Sequence, residues 1–146
     1  MGRLRTGDTI VALSTALPGA ARALVRLSGE RALAAASGLD LLPRGSFVQL
    51  LPAPRTFTRQ DMAEIELPAC APLIADLIQA LTARGARIAE PGEFTWRAYL
   101  AGRFDLAQAE AVLSLIESGS RAEAEAALQV LGGGLSQSVR RLENRI

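Results

Sequence analysis

The sequence predicts an α+β fold in which strands and helices alternate up to residue 104, followed by an all-helical segment over residues 105–146. Two observations carry this expectation. Up to residue 104, short runs of β-branched and aliphatic residues alternate with apolar residues at helical spacing. After residue 104 only the helical spacing remains.

Length and composition predict a globular chain with a packed core. Its 146 residues suffice for one domain of ordinary size plus an appendage. Hydrophobic residues make up 49% and charged residues 21%, as in soluble globular proteins. No apolar run near the start is long enough for a signal peptide or a membrane span, and the single cysteine, Cys70, fits a reducing compartment. We therefore expect a cytoplasmic protein without membrane contact.

Residue counts exclude several kinds of site. With no histidine and one cysteine, the chain cannot form a Cys/His zinc site, a Ser-His-Asp triad or a Cys-His pair. The glycine-rich spacing of a phosphate-binding loop is absent as well. All sixteen basic residues are arginine, which codon bias or a preference for guanidinium would explain. The net charge of +1 requires no anionic partner, and we predict neither catalytic residues nor metal ligands here.

The first part of the chain contains four strand-like runs and a shorter fifth. Alternation places Leu24, Arg26 and Ser28 on one face of the second run. In the fourth run, Glu64 and Glu66 share a face, which is typical of the solvated side of a half-buried sheet, with a ligand site as the alternative. The five runs cover residues 9–13, 23–27, 46–51, 62–67 and 86–89.

Helices are predicted between these strands and in the remainder of the chain. Glu93 stands where a first-turn carboxylate stabilises a helix, and Asp105 is placed to cap the helix after it. Ser120 and Glu123 have the spacing of a capping box. The predicted helices cover residues 29–37, 72–84, 93–101 and 106–116, and one begins near residue 121.

The helical pattern is still present where the chain ends, so we expect a truncated helical segment. Its apolar face should pack on an element absent from this chain or on another copy. The three glycines at 132–134 predict a break or hinge, because each costs about 1 kcal/mol in a helix relative to alanine. The apolar positions that carry the last stripe are Leu135, Val139, Leu142 and Ile146.

Four segments of the chain match motifs of one known protein family. The most specific is PGEFTWRAYLAGRFDLAQAEA over residues 91–111, which follows the family's PGEFT, Arg-Ala-Phe-Leu-Asn-Gly-Lys and DLxQAEA pattern almost residue by residue. Residues 8–12 and 25–29 add shorter matches, and residues 52–64 resemble the family's APxSYTGEDVVE stretch more loosely. The chain thus resembles the MnmE/TrmE family of tRNA-modification GTPases, over nearly its whole length but only about the first third of a family member.

This resemblance implies a small mixed sheet with packed helices, similar to the tetrahydrofolate-binding domains of the glycine-cleavage and dimethylglycine-oxidase enzymes. Residues 1–104 would form the TrmE N-terminal folate-binding and dimerisation domain, and residues 105–146 the start of the helical domain. The GTPase domain, with its GTP, Mg²⁺ and K⁺, would lie outside this chain. The family acts on the wobble uridine of tRNA together with the flavoprotein MnmG, and forms homodimers through the N-terminal domain.

The same resemblance assigns the ligand contacts. The family's folate-binding positions fall on Arg26, Glu64 and Arg103, the last of which replaces a lysine. The implied ligand is 5-formyl- or methylene-tetrahydrofolate. One carboxylate such as Glu64 can accept both parallel donors of a pterin edge. For Arg103 the alternative is a solvent-exposed arginine just past a helix end.

The chain departs from the family pattern in three places. A Gly-His-Gly-Gly-like turn is replaced by residues 66–72, and the region between residues 29 and 57 is shorter than in the family. The family's Thr-Gly-Glu-Asp stands here as Thr58, Arg59, Gln60 and Asp61. Two hypotheses follow: a folate-binding and dimerising module of a tRNA-modifying GTPase, or a family member that serves as an interaction or dimerisation module without binding folate.

Overall fold

The computed structural model describes residues 6–16 and 19–133. The chain divides into two compact units between Phe94 and Thr95. The sequence had suggested a domain boundary further along, between residues 104 and 105. Each unit is described below by itself.

The first unit contains a five-stranded mixed sheet. Its order is β3-β4-β2-β1-β5, with antiparallel pairing throughout except that β5 runs parallel to β1. The longest pairing joins β2 and β4 over the full length of both strands, so these two strands form the centre of the sheet. The strands are β1 (Thr9–Leu13), β2 (Arg22–Ser28), β3 (Phe47–Leu51), β4 (Met62–Pro68) and β5 (Ala86–Ile88).

Two helices cover one face of this sheet, α1 (Ala32–Ala36) and α2 (Ala71–Ala83). Helix α2 has Pro72 in its first turn. Backbone N–H groups in this turn have no acceptor within the helix, so proline, which lacks an N–H, loses no hydrogen bond there. Alternation sends one set of strand side chains toward these helices, and fully burying each large aliphatic side chain contributes about 1.5–3 kcal/mol. The core includes Val25, Leu27, Ile65, Leu67, Leu77 and Leu81.

The first helix is shorter than the predicted 29–37, because Gly29 belongs to a turn. Gly29 has φ 131°, and a Cβ at this position would lie 2.5 Å from the carbonyl oxygen of Asp8. Its N–H donates to the carbonyl of Asp61 at 2.9 Å. A helix cannot begin in this conformation, so α1 starts at Ala32.

The second unit contains most of α3 (Glu93–Leu100), together with α4 (Leu106–Glu117) and α5 (Arg121–Leu131). As predicted, Asp105 caps α4, and it forms a reciprocal capping box with Gln108. The hydroxyl of Ser120 caps α5 by accepting from the Glu123 N–H, but the Glu123 carboxylate accepts from the Gly119 N–H and does not close the expected box.

The predicted break at the glycine run coincides with the end of α5. This helix ends at Leu131, and Gly133 has φ 83°, a left-handed conformation that glycine adopts without steric cost. The last predicted apolar stripe, which begins at Leu135, lies outside the described residues.

A partly buried ion cluster joins β5 to the start of α3 within the first unit. The Arg87 guanidinium donates from Nη2 to Oε1 of Glu93 at 2.7 Å and from Nε to Oδ2 of Asp8 at 2.9 Å. The Glu93 side chain is fully buried and also accepts from the Glu90 N–H. The hydrogen bond to Glu93, followed by that to Asp8, raises the pKa of Arg87 above its ordinary value. Glu93, the first residue of α3, is therefore held beside β5 within the first unit, and its carboxylate also stabilises the first turn of the helix.

Replacing Arg87 by glutamine should lower the free energy of unfolding by about 2 kcal/mol, because it removes the two charged hydrogen bonds that Arg87 donates to the buried Glu93 carboxylate. This is below the cost of breaking a fully buried pair, since Arg87 itself is partly exposed. Urea denaturation measures the change. The control is Arg121→Gln, which removes an exposed i,i+4 pair with Glu125 and should alter stability far less. Equal effects of the two substitutions would contradict the anchoring role.

Candidate functional site

The sheet face opposite α1 and α2 carries the predicted ligand residues of the first unit. Arg26 in β2 and Glu64 in β4 are direct partners in the antiparallel register. Arg26 Nε lies 2.7 Å from Glu64 Oε1, with the two side chains 37% and 25% exposed. The structure therefore brings together two residues that the family resemblance assigns to one ligand, and it leaves both within reach of solvent.

A second arginine–glutamate pair lies beside the first. Arg22 is four residues before Arg26 in the same strand, and its guanidinium donates to the Glu66 carboxylate and to the Gly45 carbonyl. Arg22 is not among the residues predicted from the sequence. Strand alternation contained the signal, because residues four apart share a face. The two pairs form a charged ladder between β2 and β4.

The Glu64 carboxylate retains acceptor capacity. Its Oε1 accepts from Arg26, and within the described part of the chain no hydrogen bond to Oε2 is found. Gln49 lies opposite Glu64 on β3, and Phe47 lies opposite Glu66 with 60% of its surface exposed. A planar group with paired donors could thus reach Glu64 over the edge strand β3, where it would meet Gln49 and Phe47.

Side-chain hydrogen bonds hold the loop before β4. The Ser28 hydroxyl is 2.7 Å from the Thr58 hydroxyl and donates to Gln60 Oε1 at 3.0 Å. The Thr56 hydroxyl donates to the Gln60 carbonyl at 2.6 Å. Because Ser28 shares a face with Arg26, these bonds fix the loop at one end of the charged ladder.

Arg59 in this loop adopts a left-handed backbone conformation, with φ 60°, the one non-glycine residue of the described chain that has a positive φ. It stands where the family pattern has the glycine of Thr-Gly-Glu-Asp. For an L-residue this conformation costs about 1–2 kcal/mol, which glycine avoids. A glycine at this position would avoid this cost whether or not a ligand is bound.

The segment that replaces the family's glycine-rich turn joins β4 to α2 without left-handed residues. The strand ends at Pro68, the Cys70 N–H donates to the Pro68 carbonyl at 2.7 Å, and Cys70 is the N-cap residue of α2. None of residues 67–72 has a positive φ. Proline and alanine are therefore compatible with this connection.

Arg103 lies in the second unit, just past the end of α3. Its N–H donates to the Ala98 carbonyl, and its guanidinium carbon lies 5.6 Å from the centre of the Phe104 ring. This distance is within the range of a cation–π contact. The residue is exposed, as expected for an arginine after a helix end, and its assignment to the ligand stays a prediction.

Comparison with known proteins shows which family this α+β domain resembles. Residues 42–103 match the family model described as GTP-binding protein TrmE N-terminus. The similarity along nearly the whole chain, described next, agrees with this match.

The similar curated proteins are tRNA modification GTPases named MnmE. The protein of Geobacillus kaustophilus (strain HTA426) is 38% identical over 166 residues, covering 95% of this chain and 36% of that protein. The MnmE of Bacillus subtilis (strain 168) has the same identity and coverage, and that of Lactococcus lactis subsp. cremoris (strain MG1363) is 39% identical over 161 residues. The chain thus spans about a third of the length of the curated relatives it matches.

These alignments bear on the shortened region. An alignment of 166 positions exceeds the 146 residues of this chain, so the relatives contain residues that have no counterpart here.

A separate observation concerns membranes: within residues 6–16 and 19–133, no helix combines the length and the apolar character needed to cross a bilayer.

Substituting Arg59 by glycine should raise the free energy of unfolding by about 0.5 kcal/mol, because relief of the left-handed conformation exceeds the entropy that glycine loses on folding. Urea denaturation of the two proteins gives the difference. Arg55→Gly, in the same exposed loop but without a positive φ, is the matched control and should be neutral or destabilising. A loss of stability in Arg59→Gly would show that the Arg59 side chain contributes contacts that outweigh the backbone cost.

Proposed function

We propose that the chain is the N-terminal portion of a tRNA-modifying GTPase and that it binds a one-carbon tetrahydrofolate on the charged sheet face of its first unit. The observation that carries this proposal is the Glu64 carboxylate, held by Arg26 at 2.7 Å through one oxygen while partly exposed. Arg103 is proposed as the third contact, by its position in the family motif.

The chemistry of the pair fits a pterin. The 2-amino group and the adjacent ring N–H form two parallel donors, which a carboxylate accepts in bidentate fashion. Arg26 would orient Glu64, and Oε1 can accept a second hydrogen bond because a carboxylate oxygen has two lone-pair directions. Arg26 and Arg103 would also attract the carboxylates of a folate glutamyl tail. The bound folate would supply the one-carbon unit.

Calorimetric titration with 5-formyltetrahydrofolate tests this assignment. We expect binding by the chain, and a loss of at least about tenfold in affinity for Glu64→Gln, because the amide presents N–H donors to the ligand's donors. The matched control is Glu66→Gln, which removes the same charge from the neighbouring pair and should retain binding.

Both variants should remain folded, because partly exposed ion pairs contribute only about 0–1 kcal/mol to stability, and thermal melting checks this. Absence of heat with the unsubstituted chain at about 1 mM ligand would refute folate binding. An equal loss of affinity in both variants would instead refute the specific role of Glu64.

The relatives' name, tRNA modification GTPase, supports a proposal for the activity of a longer protein that contains this chain. We propose that such a protein acts in the cytoplasm on the wobble uridine of tRNA, together with the flavoprotein MnmG. GTP, Mg²⁺ and K⁺ would bind a GTPase domain outside the 146 residues. The part described here would contribute the folate and a dimer contact.

A second candidate function is an interaction or dimerisation module without folate. One observation favours it: β3 is a terminal strand of the sheet as described, and it exposes Phe47 by 60% and Leu50 by 45%. An edge strand with exposed apolar side chains is a template for pairing with another strand. A homodimer would bury this edge, with or without folate on the charged face.

Replacing Phe47 by lysine should convert such a dimer to a monomer, because a buried charge at the strand edge opposes pairing. Sedimentation velocity at several protein concentrations measures the change. The control is Leu41→Lys, an exposed leucine in the connection before β3 that is 40% accessible, and this variant should sediment as the parent does. If Phe47→Lys leaves the sedimentation unchanged, the β3 edge is not the dimer contact.

A further inference from the structure

A pocket on the helix-covered side of the first unit is lined by two arginines and takes no part in the proposed folate site. Arg31, just before α1, and Arg84, at the end of α2, border it, and Ala34 and Ala35 of α1 complete the lining. Its volume is about 420 Å³. Because the alanine side chains are small and apolar, the two guanidinium groups supply the side-chain chemistry of this pocket.

The Arg84 guanidinium is fixed by the backbone at the end of α1. Its Nη1 donates to the carbonyls of Ala35 and Ser37 at 3.0 and 2.6 Å, and its Nη2 donates to the Gly38 carbonyl at 2.9 Å. A guanidinium has five N–H donors, so these three bonds leave one donor on Nε and one on Nη2. Arg84 is therefore held in place and can still donate to a ligand.

The Arg31 side chain lies across Gly85, the residue next to Arg84. A Cβ at Gly85 would be 3.0 Å from Arg31 Nη1 and 3.6 Å from Arg31 Cδ, so a side chain here would press on the guanidinium. Glycine thus leaves room for Arg31 beside Arg84. Within residues 6–16 and 19–133, no hydrogen bond from the Arg31 guanidinium is found, although its backbone N–H donates to Thr9. The Arg31 donors are therefore available to a ligand.

Two like charges share this pocket without a carboxylate between them. In the described part of the chain neither Arg31 nor Arg84 forms an ion pair, in contrast to Arg22, Arg26 and Arg87. Neighbouring cations repel each other, and an anion bound between them offsets this cost. A pocket that presents positively charged donors, with no acceptor among its lining side chains, is complementary to an anion.

We propose that this pocket binds one phosphate group, either inorganic phosphate or the terminal phosphate of a small phosphomonoester. A tetrahedral phosphate directs oxygens toward two guanidiniums at once, whereas a planar carboxylate matches one guanidinium fork. A nucleic-acid strand is not favoured, because it needs cations repeated along its backbone and the pocket supplies two. This site is independent of the proposed folate site, since tetrahydrofolate contains carboxylates but no phosphate.

NMR titration of the full, isotope-labelled chain tests the phosphate site, with the Nε–H signals of Arg31 and Arg84 and the Gly85 amide as readouts. The probes are inorganic phosphate and phenyl phosphate, with acetate as the carboxylate control, all at constant ionic strength so that screening does not change. We expect saturable shifts of these signals with phosphate at about 1–10 mM and none with acetate. Tighter binding of phenyl phosphate would identify an ester as the ligand, and tighter binding of inorganic phosphate the free ion.

Variants of the pocket locate the binding. Arg31→Gln should weaken phosphate binding at least about fivefold, because one of two guanidiniums is lost while Arg84 keeps its backbone bonds. Arg44→Gln removes the same charge from an exposed position outside the pocket and should leave the affinity unchanged. A steric pair adds a charge-independent test: Ala34→Leu fills the pocket and should weaken binding, whereas Ala75→Leu, exposed on α2 outside the lining, should not.

Three results would overturn the proposal: no saturation by either phosphate up to about 20 mM, equal shifts with acetate, or equal effects of Arg31→Gln and Arg44→Gln. Tighter binding of a short RNA without a terminal phosphate than of phenyl phosphate, lost in Arg31→Gln, would also reject a site for a single phosphate group. Circular dichroism verifies that each variant remains folded. If Ala34→Leu fails to fold, the two arginine variants still decide the outcome.

Discussion

The antiparallel pairing of β2 with β4 is the constraint on which the first unit depends. Because side chains alternate along each strand, the register that buries Val25 against Ile65 also sets Arg26 against Glu64. A slip of one residue would expose the core side chains and turn the ion pairs inward. Hydrophobic burial therefore determines the geometry of the charged face, and the charged residues themselves contribute little to the choice of register.

The two faces of this sheet consequently have separate roles. Aliphatic side chains packed against α1 and α2 supply the stability, while the opposite face holds two arginine–glutamate pairs in partial contact with solvent. Ion pairs of this exposure contribute at most about 1 kcal/mol. The Arg87 cluster differs, since the Glu93 carboxylate that Arg87 binds is fully buried, so breaking this pair should cost more.

Local patterns in the sequence predicted the strands, the faces of Arg26 and Glu64, the Asp105 cap and the helix end at the glycine run. Features that depend on distant residues were not accessible. Gly29 shortens α1 because the Asp8 carbonyl occupies the space beside it, and Arg22 pairs with a glutamate 44 residues away. The left-handed Arg59 is held by a loop whose hydrogen bonds extend to Ser28, so its own side chain gives no indication of its conformation. The family resemblance supplied Arg103, for which no local pattern distinguishes a ligand contact from an exposed helix end.

The modest energetic weight of the Arg26–Glu64 pair has an evolutionary consequence. A lineage that ceased to need a ligand on this face could replace either residue and still fold, since the core lies on the other side of the sheet. Selection on these two positions would then follow recognition almost alone, whereas substitutions at Gly29 or Glu93 would be removed for their effect on folding. Neutral substitutions could therefore remove ligand binding from the charged face while the fold of the first unit persists.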